Sequence, residues 1–354
     1  MELKIELRKD LKEKPDMSNL GFGNYYTDHM FVMDYTDGIG WHDARIVPNE
    51  PFMMNPACMV LHYGQTTFEG LKAYKGKNGQ IRLFRPEKNM ERLNRSNDRV
   101  CIPQFDGPFV VEAIKKLVKI EEEWIPTEPG TSLYIRPFVI AMDNHVGVHP
   151  SHTYRFFVIL SPVGSYYAEG INPVKIYVED TYCRAVRGGL GFAKTAANYA
   201  ASLKAQEVAA ERGYTQVLWL DGIEKKYIEE VGTMNVMFVI NGEVITPEIN
   251  GSILEGITRM SSIELLRKAG YKVTERKISI QEVVDAAKNG TLNEAFGTGT
   301  AAVISPIGEL YFEGESIVVN NGEIGPVSHT IYDTITGIQS GEKEDEMGWV
   351  TIVE

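Results

Sequence analysis

The stretch Arg187-Gly-Gly-Leu-Gly-Phe-Ala-Lys194-Thr195 decides how the rest of the chain is read. Glycines let a backbone turn tightly and approach a ligand closely. The lysine behind them has no acidic neighbour in sequence and leads into an Ala-rich helical run. Such a lysine can serve as a phosphate-binding point charge or as an amine nucleophile. A nucleotide-phosphate loop asks for G-x-x-x-x-G-K-S/T. Counted from Gly188, Lys194-Thr195 are in register, but Ala193 stands where the second glycine belongs. No nearby strand ends in an obvious magnesium-binding aspartate, which leaves a P-loop NTPase as a remote alternative.

The second reading is an aldehyde cofactor, pyridoxal 5'-phosphate, held as a Schiff base on Lys194. That chemistry needs a carboxylate for the ring nitrogen, amides and a cation for the phosphate, and donors for a substrate carboxylate. Glu229-Glu230-Val-Gly-Thr233-Met-Asn235 offers a carboxylate at a strand end, or else an acidic hairpin edge. Gly251-Ser-Ile-Leu254-Glu-Gly256-Ile257-Thr258 opens a helix with the composition of an anion-binding N-terminus, or of an ordinary cap. Gly297-Thr-Gly-Thr300-Ala301-Ala302 is a glycine-rich turn able to present amides to a second anion. The order of these four signals is more specific than any one of them.

A chain of 354 residues predicts two domains or one large one. Hydrophobic content of 43% and charged content of 24% suit a soluble globular protein. A net charge of -12 argues against nucleic-acid or anionic-membrane partners. The charged start, Met1 to Asp16, reads as neither a signal nor a transit peptide, and no apolar run approaches a membrane span. Cys58, Cys101 and Cys183 are widely spaced and odd in number, which suits a reducing cytoplasm and gives no zinc pattern. His145, His149 and His152 cluster in sequence, but Pro150 and a polar loop read as solvated residues, and no metal is expected.

The pattern predicts strands at Ile81–Phe84, Ser132–Ile140 and Arg155–Leu160, with helices from about Glu87 to Asp98 and from Phe109 to Trp124. Ser161-Pro-Val-Gly-Ser165 is a breaker cluster. It sets a small N-terminal α/β domain at 1–163, a linker at 164–175 and a large C-terminal domain at 176–354. The latter opens with a strand at Val174–Val178 and a helix from Thr195 to Arg212. Two hairpins follow, turning at Asp221-Gly222 and Asn241-Gly242. Helices at Thr258–Ala269 and Ile280–Ala287 flank a strand at Tyr271–Ile278. The fold class is α/β with mixed sheets of the α+β kind, because there are too many hairpins for a purely parallel sheet.

Ordered motifs then extend over nearly the whole chain: Phe68-Glu-Gly-Leu-Lys-Ala-Tyr74, Arg82-Leu-Phe-Arg-Pro86, Asn89-Met-Glu-Arg92-Leu and Gly130-Thr-Ser-Leu-Tyr134-Ile-Arg136-Pro. Lys194 with Asn198-Tyr199, Gln216-Val-Leu-Trp-Leu220, Glu230-Val-Gly-Thr-Met-Asn235 and Gly297-Thr-Gly-Thr-Ala301 complete the set. In these the chain resembles the branched-chain amino acid aminotransferases. The resemblance implies a two-domain pyridoxal-phosphate fold of type IV, shared with D-amino acid aminotransferases and aminodeoxychorismate lyases, which remain the alternatives within the fold. It implies a homodimer whose site, at the domain interface, is completed by the partner, and ping-pong transfer between leucine, isoleucine or valine and 2-oxoglutarate.

The resemblance implies the following roles by position: Lys194 carries the cofactor and shuttles the proton. Arg92 and the Ile257 and Thr258 amides hold the phosphate with help from Thr300, and Thr233 also belongs to the cofactor site. Tyr199 bonds the ring oxygen, Glu230 the ring nitrogen, and Leu254 packs on the ring. Tyr134 and the Thr300 and Ala301 amides receive the substrate carboxylate. Phe22, Tyr63, Phe68 and Tyr166 wall the side-chain pocket, with Arg136 at its mouth. Animal members carry a Cys-x-x-Cys pair just after this turn; Ala302 and Ser305 stand there, which rules out a thiol switch at that point.

Overall fold

The computed structural model describes residues 1–165 and 171–354. Contacts divide the chain into two units, Met1–Ala168 with Ala193–Ala196 and Gly337–Glu354, and Glu169–Phe192 with Ala197–Thr336. In the first unit β1 (Lys4–Ile5), β2 (His29–Thr36), β3 (Gly40–Pro48), β4 (Thr66–Phe68), β5 (Leu71–Lys75), β6 (Ile81–Phe84), β7 (Ser132–Ala141) and β8 (Thr153–Val163) share a sheet. Its order runs β1-β3-β2-β8-β7-β5-β6, and β4 also lies on β7. Three helices belong to this part of the chain, α1 (Met59–Tyr63), α2 (Pro86–Arg99) and α3 (Gly107–Ile120).

Successive residues of a strand point to opposite faces. On β7, Leu133, Ile135 and Val139 enter the core shared with Leu93 of α2 and Val110, Ile114 and Leu117 of α3. Tyr134, Arg136 and Phe138 therefore take the other face, which carries the candidate site. Each fully buried Leu, Ile or Val contributes roughly 1.5–3 kcal/mol. Pro86 opens α2 at a position where its missing N–H costs nothing, and the Asp106 side chain caps α3 by accepting from Phe109 N at 3.1 Å. That cap starts α3 at Gly107, and the helix ends at Ile120; Glu122–Trp124 is a separate 3-10 turn rather than the continuous helix expected to Trp124.

In the second unit β9 (Val174–Glu179), β10 (Gln216–Leu220), β11 (Ile228–Val231), β12 (Asn235–Ile240), β13 (Glu243–Thr246), β14 (Val273–Glu275), β15 (Leu292–Gly299), β16 (Val303–Phe312) and β17 (Glu315–Val318) form another sheet. Its order is β11-β10-β9-β16-β15-β12-β13-β14, with β17 on β16. Parallel pairs at β9–β10, β9–β16 and β13–β14 combine with antiparallel hairpins, giving the mixed sheet that the turn signals imply. At the β12–β13 turn Asn241 and Gly242 both have positive φ, 51° and 75°, as a two-residue hairpin of this twist requires. The helices are α4 (Ala196–Glu211), α5 (Ile257–Lys268), α6 (Ile280–Lys288) and α7 (Pro326–Ser340). Among the described residues no helix is long and apolar enough to cross a membrane.

Three expectations change. The strand read at Tyr271–Ile278 narrows to β14, because only three residues pair with β13 at the sheet edge. Gly337–Glu354 groups with the first unit rather than with 176–354, because β18 (Val350–Val353) pairs antiparallel with β6. The N-terminal unit is consequently not the smaller one. Ala193–Ala196 also groups there, through a bridge between Thr67 and Thr195. The stretch read as a linker, 164–175, overlaps the start of β9 at Val174, and its residues 166–170 lie outside the described residues.

Candidate active site

The lysine loop needs its glycines for two separate reasons. Gly188 sits at φ 80°, in left-handed space, and a Cβ on Gly191 would overlap the Ser252 carbonyl. Arg184, buried, donates from Nη2 to the Gly191 carbonyl at 3.1 Å and to Ser252 O, while Asn198 Nδ2 donates to Leu190 O at 2.8 Å. The loop is thus held at Leu190 and Gly191 by one side chain before it and one after it. Lys194 itself is held by its backbone: its N–H donates to Ser96 Oγ at 2.9 Å, and its carbonyl accepts from Phe68 N at 3.0 Å. Its Nζ lies 4.8 Å from the centre of the Phe68 ring.

One face of α2 supplies Asn89, Arg92 and Ser96, spaced three and four residues apart. Arg92 forms a fork with the fully buried Glu69, Nε to Oε1 at 2.7 Å and Nη2 to Oε2 at 2.9 Å. Asn89 Nδ2 adds a bond to Oε2 at 2.8 Å. Burial opposes a charge on Glu69, but Arg92, Asn89 and the nearby Lys194 ammonium outweigh it and hold the carboxyl below its ordinary value. Glu69 was not singled out in the sequence, although it orients the guanidinium expected to meet a phosphate. On β5 the Lys72 ammonium, opposite Tyr134, is pushed down to about 8 by burial.

The expected substrate residues of the first unit are brought together in part. Phe22 meets Tyr134 edge-on, with centroids 5.0 Å apart. Arg136 Nη2 donates to the Tyr134 hydroxyl at 2.9 Å, and its guanidinium lies 4.7 Å from the Phe68 ring centre. Arg136 Nε is buried without an acceptor, the state of a donor that a ligand oxygen would satisfy. A Cβ on Gly70 would overlap the Tyr134 hydroxyl. Gly70→Ala should therefore displace Tyr134 and raise KM for the amino acid about tenfold, the worth of one hydrogen bond to a charged group, with cofactor affinity unchanged. Steady-state kinetics with a cofactor titration checks it; an unaltered KM sinks the argument. Tyr63 is exposed on α1 and donates its hydroxyl to the Val146 carbonyl. Tyr166 lies outside the described residues.

In the second unit Glu230 is buried on β11, where Oε1 accepts from Leu254 N at 2.7 Å and Oε2 lies 3.2 Å from Arg184 Nε. Arg184 thus links this carboxylate to the lysine loop. The neighbouring Glu229 points the other way and bonds Ser252, and burial pushes its carboxyl up. Asn235 Nδ2 donates to Leu254 O at 2.8 Å, and a Cβ on Gly256 would overlap Asn235 Oδ1. Gly256 is the N-cap of α5, and no capping side chain occupies the first turn of that helix, where the Ile257 and Thr258 amides lie. Thr300 and Ala301 form the β15–β16 turn, which closes on Val303 at φ 62°. A β-branched residue there is strained, and such strain gathers at functional turns. Thr233 is exposed on the β11–β12 turn, and Tyr199 is half-buried on α4.

The first unit offers an amine and a carboxylate-oriented guanidinium, and the second a buried carboxylate and a helix end with no side-chain cap. These are the donor types that a phosphorylated pyridine aldehyde requires. A model of the family described as amino-transferase class IV matches residues 66–310. The chain is 62% identical over 351 residues to branched-chain-amino-acid aminotransferase 2 of Bacillus subtilis (strain 168), covering 99% of this chain and 97% of that one. It is 57% identical to branched-chain-amino-acid transaminase 1 of the same organism, covering 97% and 96%. The branched-chain amino acid aminotransferase of Escherichia coli aligns at a TM-score of 0.77 and 28% identity over 92% of this chain and 99% of that one. The enzyme of the same name from Thermobaculum terrenum, solved in its PLP-form, aligns at 0.76 and 26% identity over 92% and 98%. Matches of this length and identity mean that the chain belongs to the class IV amino-transferases, among the branched-chain-amino-acid aminotransferases.

Proposed function

We propose that the chain transfers an amino group reversibly between L-leucine, L-isoleucine or L-valine and 2-oxoglutarate, with pyridoxal 5'-phosphate as cofactor. The observation that carries this reading is the surrounding of the Lys194 amine. It lies against Phe68, an apolar wall, beside the Tyr134 and Arg136 donors. Such a surrounding accepts a branched hydrocarbon through contact, at roughly 25 cal/mol per Å² buried, and a second carboxylate through Arg136.

When bound, the cofactor supplies an aldehyde that takes up an amine and a protonated ring that draws electrons from the substrate Cα. Lys194 would hold it and, as a free amine, would take the substrate Cα proton and return it, base and then acid. Glu230 would keep the ring nitrogen protonated, an ion pair whose benefit would grow as negative charge develops. Arg92 and the Ile257 and Thr258 amides, with Thr300, would hold the phosphate; Tyr199 would meet the ring oxygen and Leu254 the ring, and Thr233 would belong to the same cofactor site. Tyr134 with the Thr300 and Ala301 amides receives the substrate carboxylate; Phe22, Tyr63, Phe68 and Tyr166 bound the side chain. The working form is a cytoplasmic homodimer.

L-Leucine with 2-oxoglutarate should turn over, and D-alanine should not; the reverse preference overturns the reading. Glu230→Gln should lower kcat by on the order of 100-fold with little change in KM. A variant as fast as the parent at saturating cofactor removes Glu230 from the reaction.

A further inference from the structure

The β7–β8 connection, residues 142–152, gathers groups that the transamination reading does not use. Asp143, His149 and His152 each bring one ligand atom to within 4.8 Å of the other two. The His149 and His152 ring centres are 5.2 Å apart, and His145 stands 5.0 Å from His149. These imidazoles are neighbours in space and not merely three solvated side chains along a loop.

We propose that Asp143, His149 and His152 form a binding site for a borderline divalent transition-metal ion, of the zinc or nickel kind. Imidazole with one carboxylate is the donor set such ions select. His152 Nδ1 lies 2.9 Å from Asp143 Oδ2, and His149 Nδ1 lies 2.7 Å from the Pro150 carbonyl. The His149 bond to that carbonyl fixes its tautomer and leaves Nε2 for the ion, whereas His152 Nδ1 and Asp143 Oδ2 already stand near the spacing of two atoms on one ion, which would take the place of the proton between them. The carboxylate is itself anchored. Asp143 Oδ1 accepts from Thr153 N at 3.0 Å and Thr153 Oγ1 at 2.5 Å, and Oδ2 accepts from His152 N at 2.9 Å. With metal–nitrogen bonds of ~2.0–2.1 Å, tetrahedral ligand atoms lie roughly 3.3 Å apart, so a closure of up to about 1.5 Å completes the site. Side-chain rotation supplies that on a loop where His149 is only half-buried and His152 exposed. Water fills the remaining positions, and His145 is placed to replace one.

The test is calorimetric titration of chelator-stripped holoenzyme with Zn²⁺. The parent should take up one ion per subunit. His149→Ala and His152→Ala should each weaken that uptake about tenfold or more while keeping the parent melting temperature, and Asp143→Asn should weaken it on the order of 10-fold. No saturable uptake by the parent overturns the proposal. Equal affinity in parent and histidine variants also overturns it, since the ion then sits elsewhere. The readout is heat of binding, so it stands or fails independently of the transaminase reading.

Discussion

Lys194→Ala should lose at least about 10⁴-fold in turnover while melting close to the parent temperature. The catalytic loss has two sources, removal of the covalent anchor and removal of the group that moves the Cα proton; proton transfer alone is worth about 10²–10⁴-fold. Stability is spared because the chain holds this residue by its main chain. The bonds from Lys194 N to Ser96 Oγ and from Phe68 N to Lys194 O persist when the side chain is cut at Cβ. Single-turnover assays and thermal melts of the cofactor-free protein separate the two effects. Borohydride treatment of the loaded parent should fix the cofactor's mass on Lys194. Recovery of that mass on another lysine would remove Lys194 from the centre of the reaction.

Glu69→Ala should be the most destabilising single change at the site, by about 3–5 kcal/mol. Both partners of the Glu69–Arg92 fork are buried, so deleting the carboxylate leaves a guanidinium in the interior and takes an acceptor from Asn89 and from Gly70 N. At roughly 2–4 °C per kcal/mol for a unit of this size, the melting temperature should fall by on the order of 10 °C. A Glu69→Leu, Arg92→Met double variant should recover much of that loss, because no lone charge remains, yet retain cofactor poorly. If the single variant melts within 2 °C or so of the parent, the fork is not what holds α2 against β4 and β5. The acid side follows from the same shift. Since the Glu69 carboxyl is held below its ordinary value, its contribution is complete above the unfolded range, about pH 4.3, and is lost as pH falls further.

Local chemistry was legible where one or two residues carry it. Asn241-Gly242 specified its hairpin, and Pro86 the start of α2, because φ preference acts without regard to distant partners. Tyr134 and Arg136 were named through the resemblance, and the alternation of β7 is what puts them on one face. Glu69 was not legible as a positioning residue, since a glutamate next to glycine reads as an exposed turn. Its meaning comes from Arg92, 23 residues away on another element. Arg184 escaped for the same reason: only the folded chain brings its guanidinium to Gly191, Ser252 and Glu230. The alternation from Tyr271 to Ile278 overstated β14, because edge pairing depends on what the neighbouring strand offers and not on the segment's own pattern.

The pairing of β18 with β6 bears on how the polypeptide is made. A ribosome releases β6 early, and the whole second unit is synthesised before Val350–Val353 appears. At about 5–20 residues per second, the outer N–H and C=O groups of β6 wait on the order of tens of seconds for their mate. During translation that bare flank is a place where a nascent chain of this protein is open to chaperones, or to another copy's strand.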